Sequence, residues 1–280
     1  MEEDKQQKIK EIFQTQLKSF ADSLIKDYSI GGSKRVNIEK KKNNFLIAEL
    51  GKEIMVYSAL MRSLDSSLGN RIEKIALKVA EASGYKVSQG VEGLLSNEAT
   101  KEIATLLESY KEKGNDIKPV SDDLLSLEKV VDISKGKSKF HNSDYLLSKK
   151  VNGIMHLSLL ELKIGGDLDN KKARSEKEAI LEQYAILYSK YKEEIKKDKV
   201  KISIFFATAY NKDSLDGGSE NWKQASVRSF FAPEEFLIGK DFWNYICDDE
   251  NGWELIKSEY KTNSFHIERA LAKVIESFKD

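Results

Sequence analysis

Residues 141–169, HNSDYLLSKKVNGIMHLSLLELKIGGDLD, constrain the fold more than any other stretch of the chain. Two apolar-rich runs, DYLLSKK and IMHLSLLELKI, flank Asn152-Gly153, the dipeptide that suits the two positive φ angles of a type I′ hairpin turn. A two-residue turn fixes the strand register. Val151 then opposes Ile154, and counting outward sets Asp144 opposite Glu161. Directly opposed side chains have Cβ atoms about 4.5–5.5 Å apart, and like charges at that spacing repel. A divalent cation would relieve the conflict. Lys163, two residues beyond Glu161, shares its face, whereas His156 takes the other. The spacing predicts that Asp144, Glu161 and Lys163 converge. A half-exposed strand whose lysine and acids form a surface salt bridge would satisfy the same pattern. Glu-x-Lys also begins at Glu3, Glu39, Glu194 and Glu259. Only Glu161 and Lys163 interrupt an otherwise apolar strand, where an unpaired charge is costly.

Helical periodicity dominates the chain before this hairpin. Ile9, Ile12, Phe13, Leu17, Phe20, Leu24 and Ile25 predict an amphipathic helix over 6–28, ending before Gly31-Gly32. A basic loop, SKRVNIEKKKNN, precedes a second helical pattern that begins at Asn44 and ends near Gly69. A third helix is expected over 70–83, stopped by Gly84 and followed by the strand-like YKVSQGV. Glu73 on that third helix is either a solvent-facing residue or a metal-related one. Residues 98–113 read as helix, NDIKPV as a connector, and LLSLEKVVDIS as strand or helix. The polar KGKSKFHNS leads into the hairpin, with His141 as a loop or surface residue.

After the hairpin, Gly165-Gly166 allows a sharp turn, and Asp169 or Asn170 can cap a long helix over 171–197. Ala173, Ile180, Leu181, Tyr184, Leu187, Tyr188, Tyr191 and Ile195 supply its buried stripe. Lys171, Lys172 and Arg174 crowd its first turn. Cations there oppose the helix macrodipole unless an anion binds, although a solvated basic end tolerates the cost. The near-continuous apolar run VKISIFFATAY reads as a strand buried on both faces, which makes strand, helix and strand a right-handed crossover. Residues 211–224, NKDSLDGGSENWKQ, have the composition of an exposed loop. The aromatics of DFWNYIC read as packing residues, and a final amphipathic helix starts near Ser264. The organisation expected is an N-terminal helical region over 1–69, a core over 70–235 and a C-terminal helical region over 236–280, in one compact domain.

Composition limits the partners. Among 280 residues, 46 Lys and Arg balance 46 Asp and Glu, so no global basic field steers the chain to nucleic acid and such a site must be a local patch. The single cysteine, Cys247, excludes an internal disulfide framework and suits a reducing compartment. The start, MEEDKQQKIKEIF, has no long apolar run, and no other segment approaches a membrane span. A cytoplasmic protein with no membrane partner is expected.

Asp144, then Glu161-Leu162-Lys163 at the end of the next strand, then a helix and a buried strand, resemble the PD-(D/E)XK nuclease motif. The wider text ELKIGGDLDNKKARSEKEAILEQYAIL, with FFATAYNK and FLIGKDFWNYIC, is similar to type II restriction endonucleases, with a further likeness to the GGNCC-cutting subgroup. The resemblance is most specific over 141–247, and Ser143 stands where the usual Pro-Asp pair has proline. It implies an α/β fold: a restriction-endonuclease-like core with a mixed central sheet flanked by helices, and extra N- and C-terminal helices. It also implies a site-specific endonuclease of double-stranded DNA in a restriction-modification system, leaving 5′-phosphate and 3′-hydroxyl ends. Asp144, Glu161 and the Leu162 carbonyl would hold Mg²⁺, with Glu73 a further candidate, and Lys163 would orient or help deprotonate the attacking water. Lys171, Lys172 and Arg174 would clamp the DNA backbone, and the loop carrying Asn211, Lys212 and Arg228 would read bases. A palindromic site implies a homodimer, and a host would need a cognate DNA methyltransferase. A repair or junction-resolving nuclease of the same fold is the alternative, and a non-catalytic DNA-binding protein is another.

Overall fold

A computed structural model describes residues 1–110, 118–131, 137–165 and 167–278, with backbone alone for 138 and 141–144. The chain divides into two compact units, one of residues 1–79 and 254–280 and the other of residues 80–253.

The first unit is helical. Helix α1 (Glu3–Tyr28) buries Ile9, Phe13, Leu17, Phe20 and Leu24, the stripe expected from their spacing, and adds Ala21 and Tyr28. Helices α2 (Ser33–Glu39) and α3 (Phe45–Ala48) follow. The basic stretch expected as a loop is therefore largely α2 and a 3-10 turn at Lys40–Asn43, anchored by the buried Ile38. Gly51, at φ 99°, separates α3 from α4 (Lys52–Ala82). No break occurs at Gly69, which lies inside α4. One helical glycine costs about 1 kcal/mol, and the buried Leu60 on one side and Ile75 and Val79 on the other outweigh it.

The second unit is built on a five-stranded mixed sheet in the order β1-β2-β3-β4-β5. Strand β1 (Lys86–Leu95) continues past the expected YKVSQGV, through an irregularity between Gln89 and Val91. Helices α5 (Asn97–Ser109) and α6 (Asp123–Val130) precede the hairpin, so LLSLEKV is helix. Parts of the expected 98–113 helix and of NDIKPV and VVDIS, and Gly166 of the glycine pair, lie outside the described residues. Strand β2 (Lys137–Val151) starts earlier than the polar composition of KSKFHNS suggests. It pairs with β1 along most of its length, with His141 opposite Val91, so His141 belongs to a strand and not a loop.

Strand β3 (Ile154–Lys163) returns antiparallel to β2. Asn152 and Gly153 both have positive φ, 49° and 86°, as the two-residue turn requires. Helix α7 (Asn170–Ile195) then crosses to β4 (Val200–Thr208), which pairs parallel to β3. Helix α8 (Ala225–Arg228) and β5 (Phe236–Ile238), parallel to β4, are followed by α9 (Lys240–Cys247), α10 (Gly252–Asn263) and α11 (Phe265–Glu276). One face of the sheet, with Val91, Leu159, Ile204 and Phe206, packs on Ile180, Tyr184 and Leu187 of α7. The other presents Ser158 and Phe205 to Tyr245 of α9. Among the described residues no helix is long and apolar enough to cross a membrane.

Candidate active site

The hairpin ladder runs from Val151 opposite Ile154 to Tyr145 opposite Leu160. Just beyond Tyr145 the pairing of β2 with β1 shifts register, from Gln89 opposite Tyr145 to Val91 opposite His141. Asp144 lies in β2, and its side chain is outside the described residues. Alternation along β3 sends Leu159 into the α7 packing face, and Glu161 and Lys163 therefore point the same way. Both stand at the carboxyl end of β3, whose ladder with β4 closes at Lys163 opposite Thr208. The carboxyl ends of parallel strands are where α/β sheets bind ligands.

Glu161 is 2% exposed. Lys163 Nζ forms an ion pair with Glu161 Oε1 and a second with Glu176 Oε1 at 3.0 Å. A salt bridge is thus present, but it is not a surface one, because its acid is buried. Burial works against the Lys163 ammonium, yet the Glu161 and Glu176 carboxylates outweigh it and hold the group above its ordinary pKa. Lys163 is a cation in this arrangement. Burial, then the neighbouring Glu161, pushes the Glu176 carboxyl above the ordinary carboxylate range despite Lys163. With both acids ionised, two carboxylates around one ammonium leave net negative charge on partly buried side chains. Hard oxygen donors with that excess charge fit Mg²⁺ in kind. Among the described residues no three His, Cys, Asp or Glu side chains form a ready metal cage. Leu162, between the two charged residues, pairs with Ala207 of β4. Glu73 lies half-buried on α4, in the unit of residues 1–79.

Glu176 is the site residue that periodicity did not find. A signal existed: Glu176 and Lys177 fall on the α7 stripe between Ala173 and Ile180, where an apolar residue is expected. Lys177 is buried as well, bound at 2.5 Å to the buried Glu235 and lying 4.8 Å from the Phe231 ring centroid.

The basic residues separate into two kinds. Lys171 and Lys172 are exposed in the first turn of α7, where Asp169 caps the helix by accepting from Lys172 N at 2.8 Å. Arg174, two residues after Lys172, reaches Glu108 of α5 at 2.7 Å and Glu178 at 3.6 Å. Lys212 pairs with Asp167. Asn211 is buried, donating to the Gly218 carbonyl and accepting from Asp213 N, both at 2.9 Å. Arg228 donates to the carbonyls of Trp222 and Ser219 at 2.8 and 2.7 Å. The loop over 211–224 is therefore only partly the exposed segment its composition suggests: Asn211, Gly217, Gly218 and Trp222 are buried. Trp222 stacks on Phe206 of β4, and that aromatic burial holds the loop down.

A family model described as "Type II restriction endonuclease, HinfI" matches residues 5–264. No curated protein and no solved structure gives a significant match.

Proposed function

The chain belongs to the HinfI family of type II restriction endonucleases, and from that premise we propose that it hydrolyses double-stranded DNA with Mg²⁺ at the end of β3, in restriction-modification defence. The observation that carries this reading is the buried Glu161 carboxylate paired with a Lys163 ammonium whose side chain is still one-third exposed. Such a pair is shielded enough to act strongly and open enough to meet a phosphate.

Glu161, the Leu162 carbonyl and Asp144 are assigned to hold the metal. When bound, it would stabilise charge on the scissile phosphate and on the leaving 3′ oxygen. Lys163 Nζ donates hydrogen bonds that orient the attacking water toward phosphorus. The water oxygen bonds to phosphorus as the bond to the 3′ oxygen breaks. The water gives up its proton to solvent, and the 3′ oxygen takes one, leaving a 5′-phosphate and a 3′-hydroxyl. Lys171 and Lys172, exposed beside this end of the sheet's crossover, are assigned to phosphate contacts, which position the duplex without reading sequence. Lys212 is assigned to the DNA face, while Asn211 and Arg228 shape the loop that presents it. A two-fold homodimer would give each strand of a palindromic site its own catalytic centre, and a cognate methyltransferase would protect the host.

The test is incubation of the purified protein with unmethylated phage DNA, with Mg²⁺ or EDTA, beside Asp144→Ala. Discrete fragments that need both Mg²⁺ and Asp144 are expected. Preference for branched or nicked DNA would point to a repair or junction-resolving nuclease, and binding without cleavage across several metals would end the nuclease reading.

A further inference from the structure

We infer that Glu176 is a positioning residue that holds Lys163 in place for the reaction, an inference that rests on the nuclease reading of Glu161 and Lys163. Lys163 Nζ stands between two acids that come from different elements: Glu161 from β3 and Glu176 from α7. The two have different environments. Glu161 is almost wholly buried, whereas the Glu176 side chain is 22% exposed.

The helix side of this clamp is fixed independently of the lysine. Asp169 caps the first turn of α7. Ala173, Lys177 and Ile180 are buried on either side of Glu176 in sequence, and Lys177 is tied to Glu235. Glu176 therefore cannot drift away with a loop; it rides on a packed helix, the kind of support that keeps a functional side chain near its working geometry.

The two contacts differ in what they can do once the site is loaded. A divalent cation on the Glu161 carboxylate would repel the Lys163 ammonium and weaken that pair. Glu176, which the metal assignment leaves out, then remains as the anchor that keeps the long, flexible lysine side chain within reach of the attacking water. Without it the ammonium is free to swing toward solvent. Outer partners of this sort typically change metal-site activity by about 10- to 100-fold.

The test is a double-mutant cycle on the full-length protein, comparing the parent with Glu176→Ala, Lys163→Ala and the double variant in single-turnover cleavage at saturating DNA. Glu176→Ala is expected to lower the rate constant by about tenfold or more, with DNA affinity in EDTA and thermal midpoint little changed. In the Lys163→Ala background the same change is expected to cost nothing further, because a residue acting only through Lys163 has nothing left to hold. Glu176→Gln, which keeps a hydrogen-bond acceptor, is expected to recover part of the rate. A second readout needs no cleavage: acylation of the Lys163 amine, followed by peptide mass spectrometry with and without Mg²⁺, is expected to rise several-fold in Glu176→Ala when Mg²⁺ is present. Additive losses in the cycle, or unchanged Lys163 labelling, would overturn the inference while leaving the nuclease reading intact. A cleaving parent whose rate is indifferent to Lys163→Ala would overturn the inference together with the role assigned to Lys163.

Discussion

Lys163 pairs with both Glu161 and Glu176, and at Glu176 it does not offset burial and the second carboxylate. Burial and the Glu161 charge together outweigh Lys163 and raise the Glu176 pKa, so the folded protein keeps this proton to a higher pH than the unfolded chain does. The sign for stability follows from linkage. The folded protein binds more protons than the unfolded chain between the ordinary value of 4.5 and the raised folded one. Stability from this group is then greatest below 4.5 and falls as pH rises through the folded value. Glu176→Gln, which mimics the neutral acid, is expected to match the parent in urea midpoint at low pH and to exceed it at pH 7, while cleavage falls. Such a trade between stability and activity is common where a site stores unfavourable charge. The pairing of Glu176 with Lys163 could not be read from sequence. Lys163 and Glu161 are neighbours on one strand, but Glu176 reaches them only because α7 lies along that face of the sheet.

At the scale of elements, α7 is the piece on which the second unit turns. It packs close to β1 at Gly93, where an added Cβ would run into the Ile186 Cγ2 atom. Gly93→Ala is therefore expected to cost about 1–3 kcal/mol, the usual cost of overpacking, read as a lower urea midpoint with an unchanged slope. On the helix's other contact line, the buried Lys177–Glu235 pair links α7 to the turn before β5. Glu235 also accepts from the Ala232 N–H at 2.8 Å. Glu235→Ala strands a buried ammonium and is expected to lose about 3–5 kcal/mol, whereas the double replacement Lys177→Met with Glu235→Leu should lose markedly less. Measuring both variants by chemical denaturation checks the difference. The crossover itself was legible, since an N-cap residue, an apolar stripe and a β-branched run are local signals. The continuity of α4 through Gly69 and the strand character of KSKFHNS were not, because packing and sheet pairing override weak local preferences.

For the whole molecule, the assembly expected is a homodimer. Light scattering after size exclusion should give twice the 31.8 kDa chain mass, with Asp144→Ala unchanged. A monomeric mass at micromolar protein would require the two strands of a site to be cut in separate encounters. With a net charge of zero, DNA affinity is expected to come from local cations, with Lys171 and Lys172 as the proposed ones, and not from a global field. Its salt dependence should accordingly be shallow, in proportion to the few phosphates contacted.

The sequence by itself determined the hairpin, its register and the crossover to a buried parallel strand. Those features depend on the φ angles that Asn152 and Gly153 adopt, on the period of two along β3 and on the helical period of α7. Each is fixed by a residue and its near neighbours. Tertiary structure alone decided that Glu176 joins Lys163, that Lys177 meets Glu235 58 residues away, and that Asn211 and Arg228 turn inward to build their loop. These partners come from elements distant in sequence, and which side chains face each other there is set by how helix and sheet pack, a quantity no local pattern contains.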